Sequence, residues 1–148
     1  MALKDILSQE ISKAMKSGDK VRLETIRSLR AALQEKEIAK RPDKLTEDDE
    51  LNVLTNAAKR RKESIELFEK GGRSDLAEKE KAELRIIEEF LPKQLSESEL
   101  IPILKNIILT MNANSPKDFG KVMSVASKEL KGKVDGKTLS EYVKKLLG

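Results

Sequence analysis

Histidine, cysteine and tryptophan are all missing from this 148-residue sequence. Without imidazole or thiol there is no Ser–His–Asp triad, no Cys–His nucleophile, no disulfide and no zinc site built on those ligands. Aromatic residues make up 3% of the chain against 38% charged residues, so the core has to be aliphatic, carried by Leu, Ile and Val under a wide solvated surface. Long apolar runs are missing too. The longest, around Ile107-Ile108-Leu109, falls far short of the roughly 20 residues that cross a bilayer. No secretory leader or lipidation motif is read, and the expectation is a soluble, cytoplasmic protein with no membrane contact. Nothing resembles a calcium loop or a spaced acidic motif, so the sequence assigns no metal ligand and no cofactor.

What the chain does have is helical periodicity. Leu3, Ile6, Leu7, Ile11, Ala14 and Met15 predict a first helix, broken at Ser17-Gly18-Asp19. Val21, Ile26, Leu29, Leu33 and Ile38 predict a second, which Arg41-Pro42-Asp43 ends because proline cannot continue a helix. Thr46 is placed as the N-cap of a third, backed by Glu47, Asp48 and Asp49 at the positive end of the helix dipole. Its stripe is Leu51, Leu54, Ala58, Ile65 and Phe68, closed by Gly71-Gly72. Ser74 is expected to cap a fourth helix through Leu76, Ala77, Leu84, Ile87 and Leu91, stopped at Pro92.

Leu91-Pro92-Lys93-Gln94-Leu95 reads as a joint between a front domain, residues 1–92, and a tail domain, residues 93–148. Ser96 with Glu99 predicts a capping box. Pro102 would then remove a backbone bond inside the helix, so a start near Ser98 or a bend is expected. Ile103, Ile107 and Met111 continue the pattern. Ser115-Pro116-Lys117-Asp118 suits a helix start, with Ser as N-cap and Pro first. Val122, Met123, Ala126 and Leu130 form that helix's inner face, and Gly132 suits a left-handed end. Asp135 is expected to cap a last helix with the stripe Leu139, Tyr142, Val143, Leu146 and Leu147. No β-branched alternation occurs. The predicted fold is all-α, with four long helices in front and three short ones in the tail.

Charge directs attention to the tail. Residues 1–92 balance acid against base, and the whole net charge of +4 falls in residues 93–148. That asymmetry suits an anionic partner there, and simple solubility accounts for it equally well. The excess gathers around Phe119-Gly120-Lys121-Val122-Met123 and Lys131-Gly132-Lys133-Val134-Asp135-Gly136-Lys137, a glycine-punctuated elbow between two amphipathic patterns. Lys121, Lys131, Lys133 and Lys137 would supply charge to a phosphate backbone, and Gly132 and Gly136 would allow it close. Backbone N–H groups from about Gly136 would add donors, opposed by Asp135 if its carboxylate already takes them. On the residues alone the elbow is also an ordinary corner with solvated lysines.

Other clusters read more plainly. Lys59-Arg60-Arg61-Lys62 fans over most of a helix circumference, so it forms no single patch, and Lys59–Glu63 and Lys62–Glu66 are spaced for ion pairs. Glu88-Glu89 and Asp48-Asp49 invite acid–base chemistry, but neighbours on a helix point apart, and no catalytic residue is assigned. Phe68, Phe90, Phe119 and Tyr142 sit mostly where the stripes need core. An RNA partner would therefore be met through folded shape and backbone.

In the order and spacing of its motifs the chain resembles the YqeY family over nearly its whole length. The elbow carries the resemblance, with Val143 and Leu146-Leu147 after it. Leu91-Pro92-Lys93-Gln94-Leu95-Ser96, Thr46-Glu47-Asp48-Asp49-Glu50 and Arg27-Ser28-Leu29-Arg30-Ala31-Ala32-Leu33 support it. The resemblance implies a helical front domain and a small helical tail. That tail is shared with the B subunit of the tRNA-dependent amidotransferase, and a related domain is attached to some glutaminyl-tRNA synthetases. In the amidotransferase the similar tail contacts tRNA, while glutamine-dependent amide transfer, a carbon–nitrogen ligase activity, takes place elsewhere. The expected role is non-catalytic binding of tRNA, or of a tRNA-handling enzyme, through Lys121, Lys131, Gly132, Lys133, Gly136 and Lys137. The alternatives are a protein-interaction adaptor using the front helices, and participation in amide transfer onto charged tRNA.

Overall fold

A computed structural model describes residues 2–148. Among them the chain forms seven α-helices, one 3-10 turn and no strand, so it is all-α. Contacts gather the helices into two compact units, one ending at Leu91 and the other spanning Pro92–Gly148.

The front unit holds α1 (Leu3–Ser17), α2 (Lys20–Lys40), α3 (Glu47–Lys70) and α4 (Ser74–Glu88). Leu7, Ile26, Leu29, Leu33, Leu54, Ala58 and Ile87 fill its core, with Leu3 and Val53 at the edge. The periodic stripes therefore do turn inward, although Met15, Val21 and Ile38 stay exposed. A helical period selects a face and does not set how far along that face the neighbours reach. Between α1 and α2, Gly18 adopts φ +74, and its N–H closes onto the Ala14 carbonyl at 3.0 Å. Asp19 then caps α2 by accepting the Arg22 N–H at 3.1 Å. The Arg22 guanidinium bridges Glu10 at 3.0 Å and Glu89 at 2.7 Å, tying α1 and the end of α4 to α2.

Helix starts in this unit follow the sequence in one case and depart from it in another. Thr46 caps α3 in a full capping box: its hydroxyl accepts the Asp49 N–H at 3.1 Å, and the Asp49 carboxylate accepts the Thr46 N–H at 2.9 Å. Ser74, expected as a cap, is instead the first residue of α4. Arg73 holds the cap position without a side-chain cap, and its guanidinium grips Asp75 through two bonds of 3.2 Å.

The second unit holds α5 (Glu97–Thr110), a 3-10 turn (Pro116–Asp118), α6 (Phe119–Glu129) and α7 (Gly136–Leu147). Leu100, Leu104, Ile107, Val122, Ala126, Leu130, Leu139, Val143 and Leu147 form a core of its own. The Ser96–Glu99 capping box is present, and α5 starts at Glu97, not near Ser98. Pro102 lies inside the helix. Its missing N–H deprives only the Ser98 carbonyl, in the exposed first turn, where water can take the place of the lost bond. The next helix also differs from expectation. Ser115-Pro116 opens a 3-10 turn, α6 begins at Phe119, and the Asp118 carboxylate accepts the Asn114 N–H at 3.0 Å.

Candidate functional site

The elbow is the turn from Leu130 to Asp135, between α6 and α7. Leu130 ends α6, its N–H bonded to Ala126, and its carbonyl accepts the Lys133 N–H at 2.9 Å. Gly132 reverses the chain at φ +78, in the left-handed region that favours glycine. The left-handed conformation expected of Gly132 is therefore present, although Leu130 holds the cap position itself.

The segment before α5 braces this turn. The Gln94 side-chain amide donates to the Gly132 carbonyl at 2.6 Å and to the Pro92 carbonyl at 2.9 Å. One residue on, the Leu95 N–H donates to the Lys133 carbonyl at 2.9 Å. Residues read from sequence as a joint thus pack as part of the second unit. Leu95 and Val134 join its apolar core.

The six candidate residues fall into different settings. Gly132 is buried, and its carbonyl is held in the brace by Gln94. Gly136 is the first residue of α7, is exposed, and has open space where a side chain would stand. Asp135 holds the N-cap position of α7 without a side-chain cap bond, so its carboxylate does not occupy the helix's first N–H groups. Lys133 is exposed on the turn. Lys131 is half-buried, and both it and Lys137 have partners within the chain. These three lysines flank one short turn.

Lys121 is not with them. It is the third residue of α6, and at 1.5 Å per residue about 12 Å of helix separate it from the end that leads into the elbow. At Lys121's end, the Lys144 ammonium of α7 lies 5.5 Å from the centroid of the Phe119 ring. Helices α6 and α7 therefore run antiparallel, and Lys121 marks the far end of the pair.

The outward face of α6 was not singled out in the sequence. Lys121, Ser124 and Lys128 are all exposed at helical spacing, and neither lysine forms an ion pair among the described residues. Their seven-residue separation was legible as two helical turns. The brace by Gln94 had no such signal, because it depends on a contact 38 positions away.

The competing clusters are absorbed into structure. Glu89 binds Arg22. Asp49 serves the capping box and the Lys40 ammonium, which together hold its carboxyl well below the usual range. In the basic run, Arg61 turns inward to Glu83 at 3.3 Å and Glu80 at 3.9 Å on α4, and Glu66 receives Lys70. Burial first, then the charge of Glu83, push the Glu80 carboxyl up. Tyr142 packs on the tail core with Lys145 over its ring at 5.2 Å, and a hydrogen bond to Glu97 raises its phenol. No helix among the described residues is long and apolar enough to cross a membrane, and no group of three or more acidic side chains there could hold a metal ion.

Comparison with known proteins places the chain. It is 33% identical over 141 residues to the protein named altered inheritance of mitochondria protein 41, mitochondrial, of Kluyveromyces lactis, covering 93% of this chain and 72% of that protein. The protein of the same name in Saccharomyces cerevisiae strain YJM789 is 31% identical over 134 residues, covering 90% of this chain and 71% of its own length. That of Lachancea thermotolerans is 33% identical over 112 residues, 74% of this chain and 60% of its own. These relatives overturn the cytoplasmic expectation, since their names are those of mitochondrial proteins. That expectation rested on composition and on motifs not read. A compartment is decided by targeting information that a folded helical core does not need, so neither could decide it. The model for Yqey-like proteins matches residues 4–147, nearly the whole sequence, and the chain belongs to the YqeY family.

Proposed function

We propose that this protein is a non-catalytic RNA-binding accessory, with tRNA as its ligand, and that its second unit makes the contact. The observation that supports this reading is the exposed Lys133, without an ion pair among the described residues, on a turn braced by Gln94 and Leu95. A braced turn presents its charge without losing backbone freedom on binding. The tail's excess of lysine supplies the long-range attraction. The uncapped start of α7 adds donors of the right sign. A share in amide transfer onto charged tRNA would then be a matter of delivering or holding the tRNA for a partner enzyme.

Filter binding of tRNA across a salt series tests it. Lys133→Glu should weaken binding to different tRNAs alike, because backbone contacts position without reading sequence. It should also lower the log–log salt slope by about 1. Lys59→Glu or Arg60→Glu on α3 should matter much less. Salt-insensitive binding, or a larger loss from the α3 variants, would count against the reading.

An adaptor role is favoured by one feature. A cleft of about 340 Å³ between α2 and α3 has an alanine-rich floor of Ala32, Ala39 and Ala57 beside Val53, with Glu35 and Arg60 at its polar margin. Such a cleft suits an apolar side chain from a protein partner. Capture of one protein in unchanged yield at high salt, lost on Ala57→Glu, would favour this role over RNA binding.

A further inference from the structure

The lysines of α6 form a straight track. Lys121 and Lys128 are seven residues apart, which is two turns, about 10 Å along the axis and within about 20° of the same direction. Ser124 lies between them on that face, and Gly120 and Ser127 lie beside it on one side; all are exposed. Lys117, in the 3-10 turn before the helix, is exposed at one end, and the elbow with the exposed Lys133 follows the helix at the other. Among the described residues no carboxylate forms an ion pair with Lys121 or Lys128: Glu129 points about 100° away from Lys128 around the helix, and Asp118, three residues before Lys121, accepts the Asn114 N–H. In the front unit, by contrast, Arg22, Lys40, Arg61 and Lys81 are all engaged by carboxylates.

A helix that spaces its cations regularly suits a regular row of phosphates. Single strands are usually held by stacking bases on exposed aromatic rings, together with charge. The rings of the second unit are in use: Phe119 and Tyr142 pack on the tail core, and each already carries a lysine ammonium over its ring. Phe90 packs on the front core. We infer that the outward face of α6, through Lys121, Ser124 and Lys128 and continuing to Lys133, lies along the backbone of double-stranded RNA. Lysines bind phosphates and the Ser124 hydroxyl bonds a phosphate or a 2′-hydroxyl. This rests on the RNA-binding reading and adds both the class of RNA and the residues.

The test uses the full chain with three probes: tRNA, a blunt RNA duplex of about 20 base pairs, and an oligouridine strand of the same length. The duplex should bind at least about tenfold more tightly than oligouridine at equal salt. Lys121→Glu and Lys128→Glu should each weaken duplex binding about five- to tenfold and lower the salt slope by about 1. Lys105→Glu, an exposed lysine on α5, should leave both unchanged. These are surface changes, and an unaltered circular dichroism spectrum shows that the fold is kept. Equal or tighter binding of oligouridine overturns the inference. So does tRNA binding that Lys121→Glu and Lys128→Glu leave untouched, an outcome in which the elbow reading survives alone. Failure to bind either tRNA or duplex removes the RNA-binding reading and the track with it.

Discussion

The Gln94 side-chain amide donates to the carbonyl of Gly132 at 2.6 Å, fastening the chain ahead of α5 to the turn between α6 and α7. Replacing Gln94 by Ala leaves the carbonyl of a buried residue without that donor, which costs about 1–3 kcal/mol. The second unit should therefore melt earlier in Gln94→Ala, while the front unit should not. Thermal denaturation followed by circular dichroism in the full chain would register the change. An unaltered profile would mean that water replaces the bond.

Two glycines of the same elbow should respond in opposite ways. At Gly132 the φ of +78 puts any side chain in the left-handed region, so Gly132→Ala should destabilise by about 1–2 kcal/mol and Gly132→Val by more. At Gly136 φ is not positive and a Cβ would meet nothing within 4 Å. Gly136→Ala should be neutral or stabilise by up to about 1 kcal/mol, by restricting the unfolded chain. Urea titrations of both variants measure the contrast, and equal losses would contradict it.

A fragment beginning at Pro92 should fold alone. It keeps the Ser96–Glu99 cap, the Gln94 brace and a separate aliphatic core. Its stability should be small, because short chains bury a smaller fraction of their surface. Leu104→Ala in the fragment should abolish the fold, since loss of a buried leucine costs about 2–5 kcal/mol. A helical circular dichroism spectrum with a cooperative melt is the expected result. A disordered spectrum would mean that the unit relies on the front helices.

Acid should act on the front unit through two carboxyls of opposite sign. Asp49 is held below its ordinary value of 3.8, first by Lys40 and then by Thr46. A lowered carboxyl contributes stability above its unfolded value and loses it as pH falls through the folded one. Front-unit stability should thus decline below about pH 4, and Asp49→Asn should flatten that decline and lower stability at neutral pH. Glu80 is raised above 4.5, first by burial and then by Glu83. Its effect is unfavourable at neutral pH and disappears as pH falls through its folded value. Glu80→Gln should therefore keep or raise stability at pH 7. Denaturant midpoints from pH 2 to pH 8 would test both signs.

Much of the fold follows from one-dimensional pattern. The spacing of Ile26, Leu29 and Leu33, or of Leu139, Val143 and Leu147, selects a helix face, because a side chain's direction on a helix depends only on its position in the period. The capping boxes at Thr46–Asp49 and Ser96–Glu99 join residues three apart, and a left-handed Gly132 follows from glycine's lack of a Cβ. These are local relations, and local sequence contains them. What only the tertiary structure decided are the relations between distant residues. Gly132 is buried, and its carbonyl accepts from Gln94, 38 positions earlier in the chain. The antiparallel pairing of α6 and α7 moved Lys121 away from the elbow and beside Phe119 and Lys144. The inward turn of Arg61 to Glu80 and Glu83 broke up the densest basic run, while Lys128, inconspicuous in the sequence, stayed exposed with no ion pair among the described residues. Which lysines remain available depends on which carboxylates folding brings near them, and that is settled by packing between helices far apart in the chain.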